Sequence, residues 1–147
     1  MFKDFIAGFK RADVVRKFIY ANVLVYIIFV LIGVFSVLLN LPSLAVTVKS
    51  WFELPASLPL LLQRPWTVLT YMFLHGGLMH ILWNMFALYV FGGIFLKFFS
   101  VRHFVGTYIL GGVFGAVFFV LSYNLFPYFS DVVGTSYLVG ASAAVLA

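Results

Sequence analysis

The sequence predicts an all-α polytopic membrane protein with three full membrane spans and the start of a fourth. Hydrophobic residues make up 65% of the 147 residues and charged residues 9%, whereas soluble domains average roughly 45–50% and 25%. The apolar residues also fall in runs long enough to cross a hydrocarbon core of about 30 Å as helices. Because a soluble fold of this length could not bury so much apolar surface, the solvent of this chain is lipid.

Residues 1–17 are predicted to be a basic, amphipathic segment that precedes a membrane domain of residues 18–147. The chain is then uncharged from Phe18 to Val48, and we predict the first span at Phe18–Leu41. A cleaved signal peptide is the alternative, but its apolar region would be roughly 7–15 residues long and end in a small-residue cleavage site. This run is longer and ends in LLNLPS, which favours an uncleaved span.

The stretch from Pro42 to Pro65 combines prolines with aromatic and charged residues. Proline disfavours helix interiors, and aromatic residues beside charges suit the membrane–water interface, so we predict a partly immersed loop without clear regular elements. The second and third spans are predicted at Leu78–Leu96 and Phe104–Phe126. A loop at Pro127–Thr135 follows, and a fourth helix is expected to begin near Tyr137.

The distribution of Lys and Arg predicts the orientation in the membrane. Seven lie in the N-terminal segment and the 97–103 turn, and two lie in the Pro42–Pro65 loop. This places the N-terminus in the cytoplasm, and we expect a bacterial inner membrane. The basic residues behind the net charge of +5 therefore set the orientation in the membrane. The expected partner is the lipid bilayer, and no nucleic acid is expected. The absence of cysteine excludes disulfides and thiolate metal sites.

The chain ends in SYLVGASAAVLA, which is too short to cross the membrane as a helix. A helix from Tyr137 to Ala147 would measure about 16 Å and would end halfway through the hydrocarbon core. Its last carbonyl groups would then lack partners in lipid, which is costly. We therefore expect the protein to continue beyond Ala147.

Polar residues inside a span are candidates for function, and the second span opens with HGGLMHILWN. His80 and Asn84 are four residues apart and project from one face of a helix. The alternative is that they only bond neighbouring helices together. His75 and His80 are five residues apart, which does not fit the zinc pattern of two histidines four apart with a glutamate, so no metal is expected.

Ser142 lies among small residues, including Ser136, Gly140 and Ala144. Such residues allow close helix contacts, and serine is common among them, so a packing role is one interpretation. The predicted topology also places Ser142, His80 and Asn84 at a similar depth near the outer face. A serine nucleophile needs a base and an oxyanion hole, and a histidine and an asparagine on one helix face can form the hole. No base is evident.

These residues resemble the rhomboid intramembrane serine proteases, from about Pro65 to Ala147. The resemblance is carried by WTVLTYMFLHGGLMHILWN, by FGG at 91–93, by the glycine-rich third span and by GASAA. It implies that Ser142 is the nucleophile. It also implies that His80 and Asn84, with the backbone N–H of Ser142, stabilise the oxyanion, and that His75 and Gly140 support the site.

The resemblance further implies that the general base is a histidine on a sixth span, which these 147 residues do not contain, so this chain alone is expected to be inactive. The substrates would be transmembrane proteins cleaved near the outer face, without cofactor or metal. Three positions depart from the family pattern: Ala143 stands where glycine is usual, Thr67 where arginine follows tryptophan, and Leu96 where a glutamate is expected.

Two other functions fit the sequence. One is a non-catalytic rhomboid-like protein that binds membrane clients, for which the departures leave room. The other is a small transporter or channel subunit in which His80 and Asn84 line a polar pore. A late histidine beside small residues would favour the protease over the non-catalytic client-binding protein. Solute flux in liposomes would favour the transporter or channel subunit.

Overall fold

The computed structural model describes residues 13–147, so the first twelve residues of the predicted basic segment lie outside the described residues. Helix α1 spans Val14–Leu38. It begins four residues before the predicted span because the Asp13 side chain accepts a hydrogen bond from the Arg16 N–H at 2.8 Å and caps the helix. It ends where Asn40 adopts a positive φ of 53°, which the helix geometry does not allow.

The prediction that Pro42–Pro65 lacks regular elements is wrong. The segment forms α2 at Pro42–Ser50, the two-residue strand β1 at Leu54–Pro55 and α3 at Leu58–Gln63. Both helices carry proline in their first turn, where the missing N–H would have no partner in any case. The prolines therefore start helices here. Helix α4 at Thr67–Thr70 and a 3₁₀ turn at Tyr71–Phe73 lead to the next span.

Two long helices, α5 at Leu78–Phe98 and α6 at Val101–Leu125, form the second and third spans. Together with α1 they are long and apolar enough to cross a membrane, in agreement with the three predicted spans. Only a short connection at Phe99–Ser100 separates α5 from α6, so the two helices are antiparallel neighbours.

The expectation that a fourth helix begins near Tyr137 is wrong. Tyr137–Leu138 is a strand, β2, which pairs antiparallel with β1 in the register Leu54 to Leu138 and Pro55 to Tyr137. Helix α7 begins only at Ser142 and runs to Val145. Residues 137–141 therefore do not contribute to a helix, and Ser142 stands at the start of one.

Small residues on α6 allow the close packing that the sequence predicts. A β-carbon at Gly111 would overlap Ala147, and one at Gly115 would overlap Ala143. The side chain of Met72 occupies the space beside Gly112. Helix α7 and the turn before α5 thus lie directly on the backbone of α6, because these positions have no side chain.

Candidate active site

Ser142 is exposed and is the first residue of α7. The backbone immediately before it is held in an unusual conformation, because Gly140 has a φ of 121°, a region that residues with a β-carbon rarely adopt. The N–H of Gly140 donates to the carbonyl of Tyr71 at 3.0 Å. The turn before Ser142 is therefore fixed to the segment that precedes α5.

The ring of His80 lies against this turn. A β-carbon placed on Gly140 would come within 2.7 Å of both Cε1 and Nε2 of His80, so only glycine allows the approach. The N–H of Gly76 donates to His80 Nδ1 at 3.4 Å. With Nδ1 accepting this bond, the ring N–H is on Nε2, which is as close to the β-carbon position of Gly140 as Cε1 is. His80 therefore presents Nε2 to the turn two residues before Ser142.

Asn84 lies one helical turn after His80 on α5 and is buried. Its side-chain amide donates to the carbonyl of His80 at 2.9 Å. This bond runs along the helix to the residue four positions earlier, so it fixes the orientation of the amide relative to His80. Among residues 13–147, no hydrogen bond links Asn84 to Ser142. Its position on the His80 face agrees with the prediction, and its role stays a prediction.

His75 is buried, with 7% of its surface exposed, and its ring meets that of His80 edge-on at 5.3 Å between centroids. Neither ring nitrogen is within hydrogen-bond geometry of a described residue. Burial, with a smaller effect from His80, lowers the pKa of His75 to about 4. His75 therefore packs against His80, and its supporting role stays a prediction.

We expect the stability of the protein to depend on pH through His75. The folded pKa is about 4 and the ordinary value is about 6.5, so only the unfolded chain takes up the proton between these values. His75 therefore does not lower the free energy of unfolding above pH 6.5. As the pH falls towards 4, protonation of the unfolded chain lowers the free energy of unfolding by at most about 3 kcal/mol. Unfolding should be measured at pH 7.5 and 4.5 for wild type and His75→Gln.

The His75→Gln variant should show a smaller loss on acidification than the wild type. His103→Gln is the matched control, because His103 is exposed and its Nδ1 lies 2.8 Å from Ser100 Oγ. An equal acid sensitivity of the wild type and His75→Gln would contradict the assignment.

Tyr71 is a residue of the site that the sequence did not reveal. From its place before His75 it resembles a membrane-interface anchor, and that interpretation is wrong because Tyr71 is 1% exposed. Its hydroxyl donates to the carbonyl of Gly112 at 2.7 Å, while its own carbonyl accepts from Gly140. Burial raises the pKa of Tyr71 to about 12, with a further contribution from Tyr108, so the hydroxyl keeps its proton. Tyr71 thus joins α6 to the turn before Ser142.

Replacing Tyr71 by phenylalanine should lower the stability by about 1–2 kcal/mol, since one buried hydrogen bond is lost at nearly constant volume. The measurement is the unfolding midpoint of the purified protein. Tyr128→Phe serves as control, because Tyr128 is 89% exposed. A Tyr71→Phe midpoint equal to that of the control would show that the bond to Gly112 contributes nothing.

A comparison with known families agrees with this geometry. The family model named Rhomboid domain matches residues 62–147, the region that contains Ser142, His80, Asn84, His75 and Gly140. The chain belongs to the rhomboid family. No curated protein and no solved structure matches it. The rhomboid family comprises intramembrane proteases and inactive relatives, so membership alone does not decide catalysis.

The structure shows how this rhomboid accommodates its departures from the family pattern. The methyl group of Ala143 packs against Gly115, which has no side chain, so α7 still approaches α6 closely. Thr67 is fully buried, and its hydroxyl donates to the carbonyl of Arg64 at 2.7 Å. Leu96 packs against the apolar core.

Other hydrogen bonds hold the segment after α1 in place. Arg64 Nη1 donates to the carbonyl of Ser50 at 2.9 Å, and the indole N–H of Trp66 donates to that of Trp51 at 2.8 Å. Within residues 13–147 there is no group of three or more His, Cys, Asp or Glu side chains that could hold a metal ion.

Proposed function

We propose that this rhomboid protein is an intramembrane serine endopeptidase that cleaves transmembrane protein substrates near the outer membrane face. The contact between His80 and Gly140 carries the proposal. It brings Nε2 of the His80 ring beside the backbone that leads into Ser142, although His80 and Ser142 lie on different helices and 62 positions apart in sequence. A serine beside a preorganised donor is the arrangement that acyl transfer requires.

In the proposed reaction, Ser142 Oγ attacks the carbonyl carbon of the scissile peptide bond. The hydroxyl proton goes to a histidine base, which the resemblance to the family places on a later span. The negative charge that develops on the carbonyl oxygen is stabilised by His80 Nε2–H and by the amide of Asn84. The base then protonates the leaving amine, and water hydrolyses the acyl-enzyme.

The backbone N–H of Ser142 is the third proposed donor. As the first residue of α7, Ser142 has no helical carbonyl four residues earlier for its N–H to reach. No other described residue accepts a hydrogen bond from it. The N–H is therefore free to bind an oxyanion, whereas the N–H of Gly140 is already bound to Tyr71.

The base is proposed to lie outside the 147 residues. Ser142 Oγ has no hydrogen-bond partner among the described residues, and His80 is assigned to the oxyanion. A serine without a base is a poor nucleophile, so residues 1–147 alone should be inactive. The experiment compares this chain with one that continues through the later spans, both in proteoliposomes with a reporter transmembrane substrate. Cleavage only by the longer chain supports the proposal, and cleavage by neither indicates an inactive relative.

We also propose that the N-terminus faces the cytoplasm of a bacterium and that the protein resides in the inner membrane. The imbalance of Lys and Arg supports this orientation. A reporter fused at residue 1 or within 98–102 should be cytoplasmic, and one fused near Asp131 should be external. A cytoplasmic signal from the Asp131 fusion would reverse the orientation.

A further inference from the structure

A groove whose lining does not include Ser142, His80 or Asn84 lies between α1 and the segment that follows it. Its volume is about 390 Å³, whereas a cavity of about 150 Å³ already admits benzene. The one hydroxyl of its wall, on Thr70, donates to the carbonyl of Phe52 at 2.8 Å, so the wall is apolar. The lining residues on α1 are Val25, Ile28, Phe29 and Ile32, opposed by Val48 and Phe52.

The groove continues into a second hollow at its edge. Val48 and Phe52 line both, and Trp51 and Trp66 complete the second. The two indole rings are parallel within 3°, with 6.0 Å between their centroids. The guanidinium carbon of Arg64 lies 4.4 Å from the centroid of the Trp51 ring. An apolar groove therefore opens beside a cation that lies over Trp51, which in turn stacks on Trp66, and tryptophan is typical of the membrane interface.

Arg64 brings an uncompensated charge to this edge. One guanidinium nitrogen donates to Ser50, but no ion pair joins Arg64 to a carboxylate within residues 13–147. The neighbouring Glu53 is 2.7 Å from Lys49, and these two charges neutralise each other. The remaining N–H groups of Arg64 are suited to bind phosphate oxygens, which guanidinium recognises by charge-assisted hydrogen bonds.

We propose that this groove binds one phospholipid, with its phosphate at Arg64 and an acyl chain between α1 and the Val48–Phe52 side. The positive charge of Arg64 favours the negatively charged phosphate of the headgroup, and the apolar wall of the groove favours an acyl chain. A peptide would need partners for its backbone polar groups unless it entered as a helix, and this wall offers none. The site would thus retain a specific lipid, in contrast to the exchanging lipids around the rest of α1.

The test uses the purified protein in dodecyl maltoside micelles, which contain no phosphate. Phosphatidylglycerol with a photoactivatable acyl chain is added at low mole fraction, and adducts are mapped by mass spectrometry. Diacylglycerol with the same chain is the phosphate-free probe. We expect phosphatidylglycerol adducts to concentrate on the groove, and Arg64→Gln to reduce them about fivefold, to the level of diacylglycerol.

A second pair of variants tests the groove without altering the charge. Ile28→Trp should fill the groove and abolish the concentrated adducts. Ile27→Trp should leave them, because Ile27 is exposed to a similar extent, 47% against 44%, but does not line the groove. Adducts spread evenly along α1 with both probes, or unchanged in Arg64→Gln and Ile28→Trp, would overturn the proposal. Displacement of the probe by a transmembrane peptide and not by unlabelled phosphatidylglycerol would also overturn it.

Discussion

Replacing Ser142 by alanine is expected to abolish proteolysis by the protein that carries the later spans, with a fall in kcat on the order of 10⁴-fold or more. The change removes the oxygen that would attack the substrate. It should leave the fold intact, because the side chain is exposed and has no hydrogen-bond partner among the described residues. Cleavage of a reporter substrate and the unfolding midpoint should be measured on the same preparation.

The matched control is Ser136→Ala, which removes a hydroxyl from the same loop region. Ser136 contributes its carbonyl to the Ala56 N–H at 3.0 Å, a bond that the substitution keeps. We expect this variant to cleave at the wild-type rate. If the Ser142→Ala protein retains cleavage, the protease assignment for this site is wrong.

Asn84→Ala and His80→Ala should each lower kcat by about 10²–10³, the usual cost of losing one oxyanion donor. The reason is positional: His80 lies against the turn before Ser142, and the amide of Asn84 is tied to the His80 carbonyl. The effect should fall on kcat more than on KM, because the donors act on charge that develops only in the transition state. Initial rates over a range of substrate concentrations separate the two parameters.

Asn22→Ala is the control for the asparagine. Asn22 is also buried, and its amide donates to the carbonyl four residues earlier at 2.9 Å, but it lies on α1. If Asn22→Ala lowers the stability and leaves kcat unchanged, the loss of a buried asparagine does not by itself impair catalysis, and the effect at Asn84 is specific to the site. If Asn84→Ala and His80→Ala both cleave at the wild-type rate, these residues only bond helices together, as the alternative interpretation of the sequence holds.

The sequence predicted the spans better than the connections. Hydrophobic runs define α1, α5 and α6 because lipid demands long apolar helices, and the errors at their ends are a few residues. The prediction for the segment after Pro42 is wrong because proline also starts helices, as Pro42 does at the first position of α2. The predicted start of α7 is wrong because the pairing of Tyr137–Leu138 with β1 is a contact between distant parts of the chain, which local composition does not encode.

In the candidate site, too, the features that follow from local sequence are predicted, and those that depend on distant contacts are not. Local spacing predicts His80 and Asn84 on one helix face, and the small residues around Ser142 predict the close packing of α7 on α6. The role of Tyr71 depends on Gly112 and Gly140, which are remote in sequence, and an aromatic residue near a span by itself indicates an interface anchor. The one local signal was Gly140, since a glycine before the serine is consistent with a positive φ and with close approach of a neighbouring ring.

The most direct test of the central claim is to treat the protein that carries the later spans with a fluorophosphonate and to locate the adduct by mass spectrometry. The account predicts phosphonylation at Ser142, none at Ser136, and no labelling of the Ser142→Ala variant or of residues 1–147 alone. Labelling of another serine, or persistent labelling of the Ser142→Ala protein, would contradict the account. Labelling of residues 1–147 would show that the base lies within them, and would point to His80.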